Sequence, residues 1–187
     1  MFLSRRMPQI ARMAGQTSRG FHATAMAALQ KGQDVPAVTV REGSPSDQFD
    51  LQDMTKEGTH IIVGVPGAFS PTCSAGHIPG YIELMPKFKE RGVKAVWVVT
   101  VNDTFVTNAW AESLEVPVDE VRMISDFAGE FSLAFGTLFD ASAFFGNHRS
   151  SRYAAVVMDG KVVEVFEEPD KTGLNVSKAE NVLKSLG

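Results

Sequence analysis

"HIIVGVPGAFSPTCSAGHIPGY", His60 to Tyr81, changes its apolar period halfway along, around a single thiol. The run His60-Ile-Ile-Val-Gly-Val65 is apolar, has the length of a strand, and stops at Pro66-Gly67. Beyond Ala75 the residues Ile78, Tyr81, Ile82, Met85 and Phe88 recur at helical spacing. Pro79 is expected to kink that helix, Pro86 to disturb it, and Gly92 to close it. Cys73, the one cysteine of the chain, falls eight residues past Val65, where the helix starts.

That position suits a nucleophile. In open α/β sheets chemistry gathers beyond the carboxyl ends of the strands. A helix N-terminus offers unpaired N–H groups and about half a positive charge, which favours a thiolate over a thiol. Pro71 fixes its own φ and restricts Ser70 before it, so the loop holds its shape at little entropic cost. A structural core cysteine has no use for the polar neighbours Ser70, Thr72 and Ser74.

Outward from this unit the pattern repeats. Val38 to Arg41 reads as a short strand and Glu42 to Asp47 as a turn. Val93 to Val101 is nearly continuous apolar, as in a strand buried on both faces. Asp103 caps a helix with Phe105, Val106, Ala109, Trp110 and Leu114 on one side. Val121 to Ser125 is a further strand and Gly129 to Gly136 a short helix. Tyr153 to Met158 and Lys161 to Phe166 flank Asp159-Gly160, a strong hairpin signal. Ser177 to Glu180 has the form of a capping box opening a last helix that carries Val182, Leu183 and Leu186. Strands alternating with helices, closed by a hairpin, predict one α/β domain: a mixed sheet with helices on both faces.

Composition narrows the function. The chain is 187 residues long, 44% hydrophobic and 21% charged, as expected for about one globular domain. No apolar run approaches the ~18–20 residues of a membrane span, so no membrane partner is expected. One cysteine permits neither an internal disulfide nor a cysteine-rich zinc site. His60, His77 and His148 are scattered, so no metal is expected. Residues 1–33 contain Arg5, Arg6, Arg12, Arg19 and Lys31 and no acid, the composition of a mitochondrial transit peptide. Residues 1–21 are read as that leader and 22–187 as the folded domain. Losing the leader removes four of 18 basic residues and none of 22 acidic ones, which takes the net charge from −4 to −8. A body so acidic is not expected to bind nucleic acid.

"PGAFSPTC", Pro66 to Cys73, resembles the peroxiredoxin signature P-x-x-x-[T/S]-x-x-C. "GVPGAF", "HIPGYIE", "VVTVNDTFVTNAW", the Phe145 to Val163 stretch and "EPDKTGL" are similar to the type II, or peroxiredoxin-five-like, subfamily. The resemblance runs from about Val35 to the C-terminus and implies a thioredoxin-like fold. It also implies thiol-dependent reduction of hydrogen peroxide and alkyl hydroperoxides with no cofactor. Cys73 would be the nucleophile and Ser70, where relatives usually have threonine, the hydroxyl that contacts the peroxide. Pro66 would shield the loop from water, and the Thr72 and Cys73 amides would serve as donors. Arg152 would be the cation that keeps the sulfur ionised and binds the leaving oxygen, with His77 and Arg149 behind it. Phe144 and Phe145 would line the apolar side of the pocket.

Some relatives carry a second, resolving cysteine near the last helix, where this chain has Leu174-Asn175-Val176-Ser177. The resemblance therefore implies a one-cysteine mechanism in which glutathione with glutaredoxin, or thioredoxin, reduces the sulfenic acid. It further implies a homodimer packed near the site. Two other classes share the residues. A cysteine hydrolase would pair Cys73 with His77, four residues on, and a redox sensor would be oxidised once and signal. The "GVPG" glycines lack the Lys-Ser/Thr that ends a phosphate loop.

Overall fold

The computed structural model describes residues 28–187, so the expected leader, residues 1–21, lies outside the described residues. The elements are β1 (Thr39–Arg41), β2 (Gln48–Asp50), α1 (Leu51–Thr55), β3 (Thr59–Val65), a π-wound turn (Cys73–His77), α2 (Ile78–Glu90), β4 (Val93–Thr100) and α3 (Thr104–Ser113). They continue with β5 (Val121–Ser125), α4 (Glu130–Ala134), β6 (Leu138–Asp140), α5 (Ser142–Phe145), β7 (His148–Ser150), β8 (Tyr153–Met158), β9 (Lys161–Glu167) and α6 (Ala179–Ser185).

Seven strands form one sheet in the order β2-β1-β5-β4-β3-β8-β9. β3, β4 and β5 run parallel, and β8, β9 and β1 are antiparallel to their neighbours, so the sheet is mixed. Alternation along the central strands feeds two cores. Ile61, Val63, Val65, Val96 and Val98 face α2, α3 and α6 through Ile78, Met85, Phe88, Trp110 and Val182. Ile62, Trp97 and Val99 face the other side, with Leu51 of α1, Phe131 of α4 and Phe135 at the C-cap of α4. Both faces are covered, which is why these strands read as nearly continuous apolar runs. Gly64 has no side chain for a packing reason: a Cβ there would come within 2.0 Å of the Tyr153 ring. The hairpin turn is as expected, with Asp159 at φ 50° and Gly160 at φ 79°.

Several expectations need correction. The disturbance at Pro79 takes the form of a changed winding: Pro71 and Thr72 are already helical, Cys73–His77 is a π turn, and α2 follows. Pro79 cannot donate to the carbonyl four residues back and its ring crowds that carbonyl, so the turn ahead of it widens. Pro86 stays inside α2, which runs on to Glu90. The buried face of α3 is Thr104, Thr107 and Trp110, whereas Phe105 and Ala109 are exposed. Ser177 caps nothing. Lys178 is the N-cap of α6, and the Ser177 hydroxyl instead donates to Glu168 Oε1 at 2.7 Å. The small sheet of β6 and β7, together with β2, α1 and α5, was not foreseen from the sequence pattern.

Candidate active site

The end of β3 and the start of the following helix bring Cys73 below the surface, at 0% exposure. The Ser70 hydroxyl donates to its sulfur at 2.8 Å, and Arg152 Nη1 donates to the same sulfur at 3.3 Å. Two donors, one of them a permanent cation, stabilise negative charge on a sulfur shielded from water. The Thr72 and Cys73 amides lie in the first helical turn and have no acceptor among the described residues.

Arg152 stands immediately before β8, 79 positions along the chain from the cysteine, and is the only buried lysine or arginine among the described residues. Its Nε donates to the Thr172 carbonyl at 3.1 Å. Nη1 also meets His77 Nδ1 at 3.1 Å. Guanidinium can only donate, so Nδ1 is the acceptor and the ring proton sits on Nε2, which donates to the Ser177 carbonyl at 3.1 Å. Burial, and after it the charge of Arg152, push the His77 pKa down to about 3, so the ring is neutral at ordinary pH. Nη2 forms no hydrogen bond among the described residues, which leaves it available to a ligand.

His77 is therefore not the base of a hydrolase. Both ring nitrogens are engaged, neither with the sulfur, so no lone pair is left to take the Cys73 proton.

A cavity of about 300 Å³ opens here, lined by Pro66, Ser70, Pro71, Thr72, Phe144, Phe145, Arg152 and Thr172. Pro66 is buried at its base. Phe145 is half-buried while Phe144 is 86% exposed, so the two aromatics form a wall and a rim, respectively. Arg149 does not reach the sulfur. Its Nη1 donates to the Val101 carbonyl at 2.9 Å and to Asn102 Oδ1 at 3.2 Å, and its guanidinium stands 5.1 Å from the Phe145 ring centre.

Sequence reasoning missed Asn102 and Thr172. Asn102 Oδ1 also accepts from the Ala68 amide at 3.1 Å and from Thr100 Oγ1 at 2.9 Å, which ties the cysteine loop to the end of β4. The polar Thr100-Val-Asn-Asp103 step after an apolar run was the available signal. Thr172 contributes a backbone carbonyl, which leaves no trace in side-chain patterns.

The family model described as Redoxin matches residues 30–183. The chain is 45% identical over 156 residues to the peroxisomal membrane associated protein 20 of Schizosaccharomyces pombe, covering 83% of this chain and 97% of that one. It is 35% identical over 184 residues to the mitochondrial peroxiredoxin-2F of Arabidopsis thaliana, covering 92% and 89%. The crystal structure of peroxiredoxin 5 from Alvinella pompejana superposes with a TM-score of 0.74 at 39% identity, covering 84% of this chain and 97% of that one. With its thioredoxin-like fold and a single thiol in the helical turn that follows β3, the chain belongs to the redoxin family, as a peroxiredoxin of the peroxiredoxin-five-like kind and thus a thiol-dependent peroxidase.

Proposed function

We propose that Cys73 reduces hydrogen peroxide and alkyl hydroperoxides and is restored by an external thiol. The observation that carries this reading is the buried sulfur with Ser70 Oγ at 2.8 Å and Arg152 Nη1 at 3.3 Å, beside an apolar cavity. The thiolate attacks one peroxide oxygen, the O–O bond breaks, and the second oxygen leaves as hydroxide or alkoxide and takes up a proton. Cys73 becomes a sulfenic acid. Arg152 Nη2 and the Thr72 and Cys73 amides stabilise charge as it spreads over the two oxygens. At rest the Ser70 hydroxyl donates to sulfur; with peroxide bound it turns to the oxygens. Pro66 excludes water, and Phe144 and Phe145 receive the organic part of an alkyl hydroperoxide. His77 and Arg149 act from behind, through Arg152 and through Asn102 with Phe145, respectively.

The chain has no second cysteine to condense with the sulfenic acid. A first thiol from outside, glutathione with glutaredoxin or thioredoxin, expels water and forms a mixed disulfide. A second thiol then releases Cys73. Such turnover serves antioxidant defence and redox homeostasis. The protein works as a homodimer, a reading supported by the exposed aromatics Phe69, Phe105 and Phe127, which follow the carboxyl ends of β3, β4 and β5. Residues 1–21 direct it to the mitochondrial matrix, supported by their acid-free basic composition and by the relative named mitochondrial. The relative named peroxisomal makes imaging of the tagged full chain the test of that address.

Peroxide consumption followed in parallel with glutathione/glutaredoxin and with thioredoxin tests the function. The protein should turn over with at least one of them, and Cys73→Ser should be inert though folded. Turnover by Cys73→Ser would end the reading; oxidation without turnover under either reductant would favour a one-shot sensor.

A further inference from the structure

The segment after β9 encloses the only buried arginine among the described residues, and one side chain fastens that segment from within. Glu168 is fully buried. Its Oε1 accepts from the Asn175 amide at 2.8 Å, the Ser177 amide at 2.9 Å and the Ser177 hydroxyl at 2.7 Å. Oε2 is buried with no partner among the described residues, a costly arrangement that mere loop closure does not require. The Ser177 carbonyl thus held accepts from Tyr81 Oη at 2.7 Å and from His77 Nε2 at 3.1 Å.

We propose that Glu168 is a positioning residue for the cysteine–arginine pair: by gathering the Asn175 and Ser177 amides it fixes the Ser177 carbonyl, which holds His77 with a bare Nδ1 toward Arg152. Nη1 carries two protons. One goes to His77 Nδ1 at 3.1 Å, and the geometry of that bond aims the other at Cys73 Sγ, 3.3 Å away. In the opposite tautomer an N–H would face an N–H, and the guanidinium would have to leave the sulfur. The same segment grips Arg152 elsewhere: Lys171 O accepts from its amide at 2.7 Å, Glu168 N donates to its carbonyl at 3.0 Å, and Thr172 O accepts from Nε. Burial by itself would raise the Glu168 carboxyl, but the bonds from Ser177 and Asn175 outweigh it and hold the group below the usual carboxylate range. Glu168 is therefore an ionised, acceptor-only group, suited to three donors on one oxygen.

The inference relies on the peroxidase reading for what Arg152 does, and its test separates the two. Nitrogen-15 NMR of the His77 ring reports the tautomer without any peroxide, and rapid mixing with hydrogen peroxide reports the sulfur. Glu168→Ala should give a mixture of ring tautomers and about a tenfold slower oxidation of Cys73. Glu168→Gln, which keeps an acceptor oxygen, should restore the tautomer and most of the rate. If Glu168→Ala does not fold, Glu168→Asp makes the same test, since it keeps the charge but withdraws the oxygen by one methylene. A folded Ala or Asp variant with the wild-type ring tautomer and rate would overturn the proposal, and so would a Gln variant no better than Ala. A ring change in a protein that leaves peroxide untouched would instead refute the function and leave the positioning role intact.

Discussion

Arg152→Ala is the substitution on which the proposed chemistry depends most. The side chain makes one charge-assisted bond, at 3.3 Å, to a sulfur that has no exposed surface. Bonds to a charged group are worth about 1.5–3 kcal/mol, or roughly 10- to 160-fold in rate at about 1.4 kcal/mol per tenfold. Nη2 adds the donor for the leaving oxygen, and deletion of one such donor typically costs about 10²–10³. Both contributions come from one guanidinium and do not multiply, so peroxide reduction should slow by at least about a hundredfold. Arg152→Lys keeps the charge, but one ammonium cannot serve Thr172 O, His77 Nδ1 and Sγ in the planar arrangement seen here. It should recover about a tenth of the wild-type rate. Arg149→Ala should lose less than about threefold, because its bonds go to Val101, Asn102 and Asn147 and none reaches sulfur.

Trp110 provides the assay. Its indole N–H donates to Ser74 Oγ at 3.0 Å, beside Cys73 in sequence, so stopped-flow fluorescence follows oxidation of the thiol directly. Circular dichroism and thermal melts establish that each variant is folded. A folded Arg152→Ala protein reacting within about threefold of wild type would refute the assignment. A larger loss in Arg149→Ala than in Arg152→Ala would exchange the roles of the two arginines.

Ser70→Ala removes the 2.8 Å bond to sulfur and should slow peroxide reduction about tenfold, from a net worth near 1–1.5 kcal/mol; an unchanged rate would make that hydroxyl incidental. The His77 pKa is about 3 in the folded chain against 6.5 for the free group, chiefly through burial and next through Arg152. The unfolded chain therefore takes up a proton below pH 6.5 that the folded chain refuses, and this contribution to stability is lost as pH falls from about 6.5 toward 3. Urea melts at pH 7 and pH 4 should show that loss, and His77→Gln should diminish it; an equal pH dependence in the variant would contradict the neutral ring. One equivalent of peroxide without reductant should leave Cys73 as sulfenic acid, and excess peroxide should carry it to sulfinic acid. Glutathione present from the start should give a mixed disulfide by intact mass, whereas a dominant covalent dimer would refute the one-cysteine route.

What could be read from the sequence follows how local the physics is. β3, β4 and β8 were legible because strands buried on both faces are nearly continuous apolar runs, in which polar residues such as Thr59, His60, Lys94 and Thr100 stand only near the ends. Strands of three residues, such as β2, β6 and β7, are too short to show a period, and pairing partners define them instead. Ser177-Lys-Ala-Glu180 fits the capping-box pattern, yet the serine hydroxyl goes to a carboxylate nine positions upstream. Phe105 has an apolar side chain on α3 and is still 71% exposed, because the helix turns its threonines and Trp110 toward the sheet. In each case a long-range contact overrode a correct local preference.

The site shows the same division within a few residues. Prolines in the cysteine loop led to the expectation of a rigid segment, and Pro66 and Pro71 do restrict it. They do not account for its shape. Phe69, between them, sits at φ 58°, a left-handed conformation unfavourable for a bulky residue. Prolines at 66 and 71 impose nothing on residue 69, so something else must hold it there. Asn102 does so from the end of β4: its Oδ1 takes the Ala68 amide, with Thr100 and Arg149 as its other donors. The Ser70 amide then reaches back to Gly67 O at 3.4 Å, and its carbonyl receives the Ser74 amide at 3.0 Å, which starts the helix that carries Cys73. Strain at Phe69 is thus opposed by a side chain more than thirty positions away, and the Ser70 hydroxyl is aimed at sulfur as the outcome. The two prolines limit where the loop can go, and Asn102 selects the conformation in which the thiol has its donors.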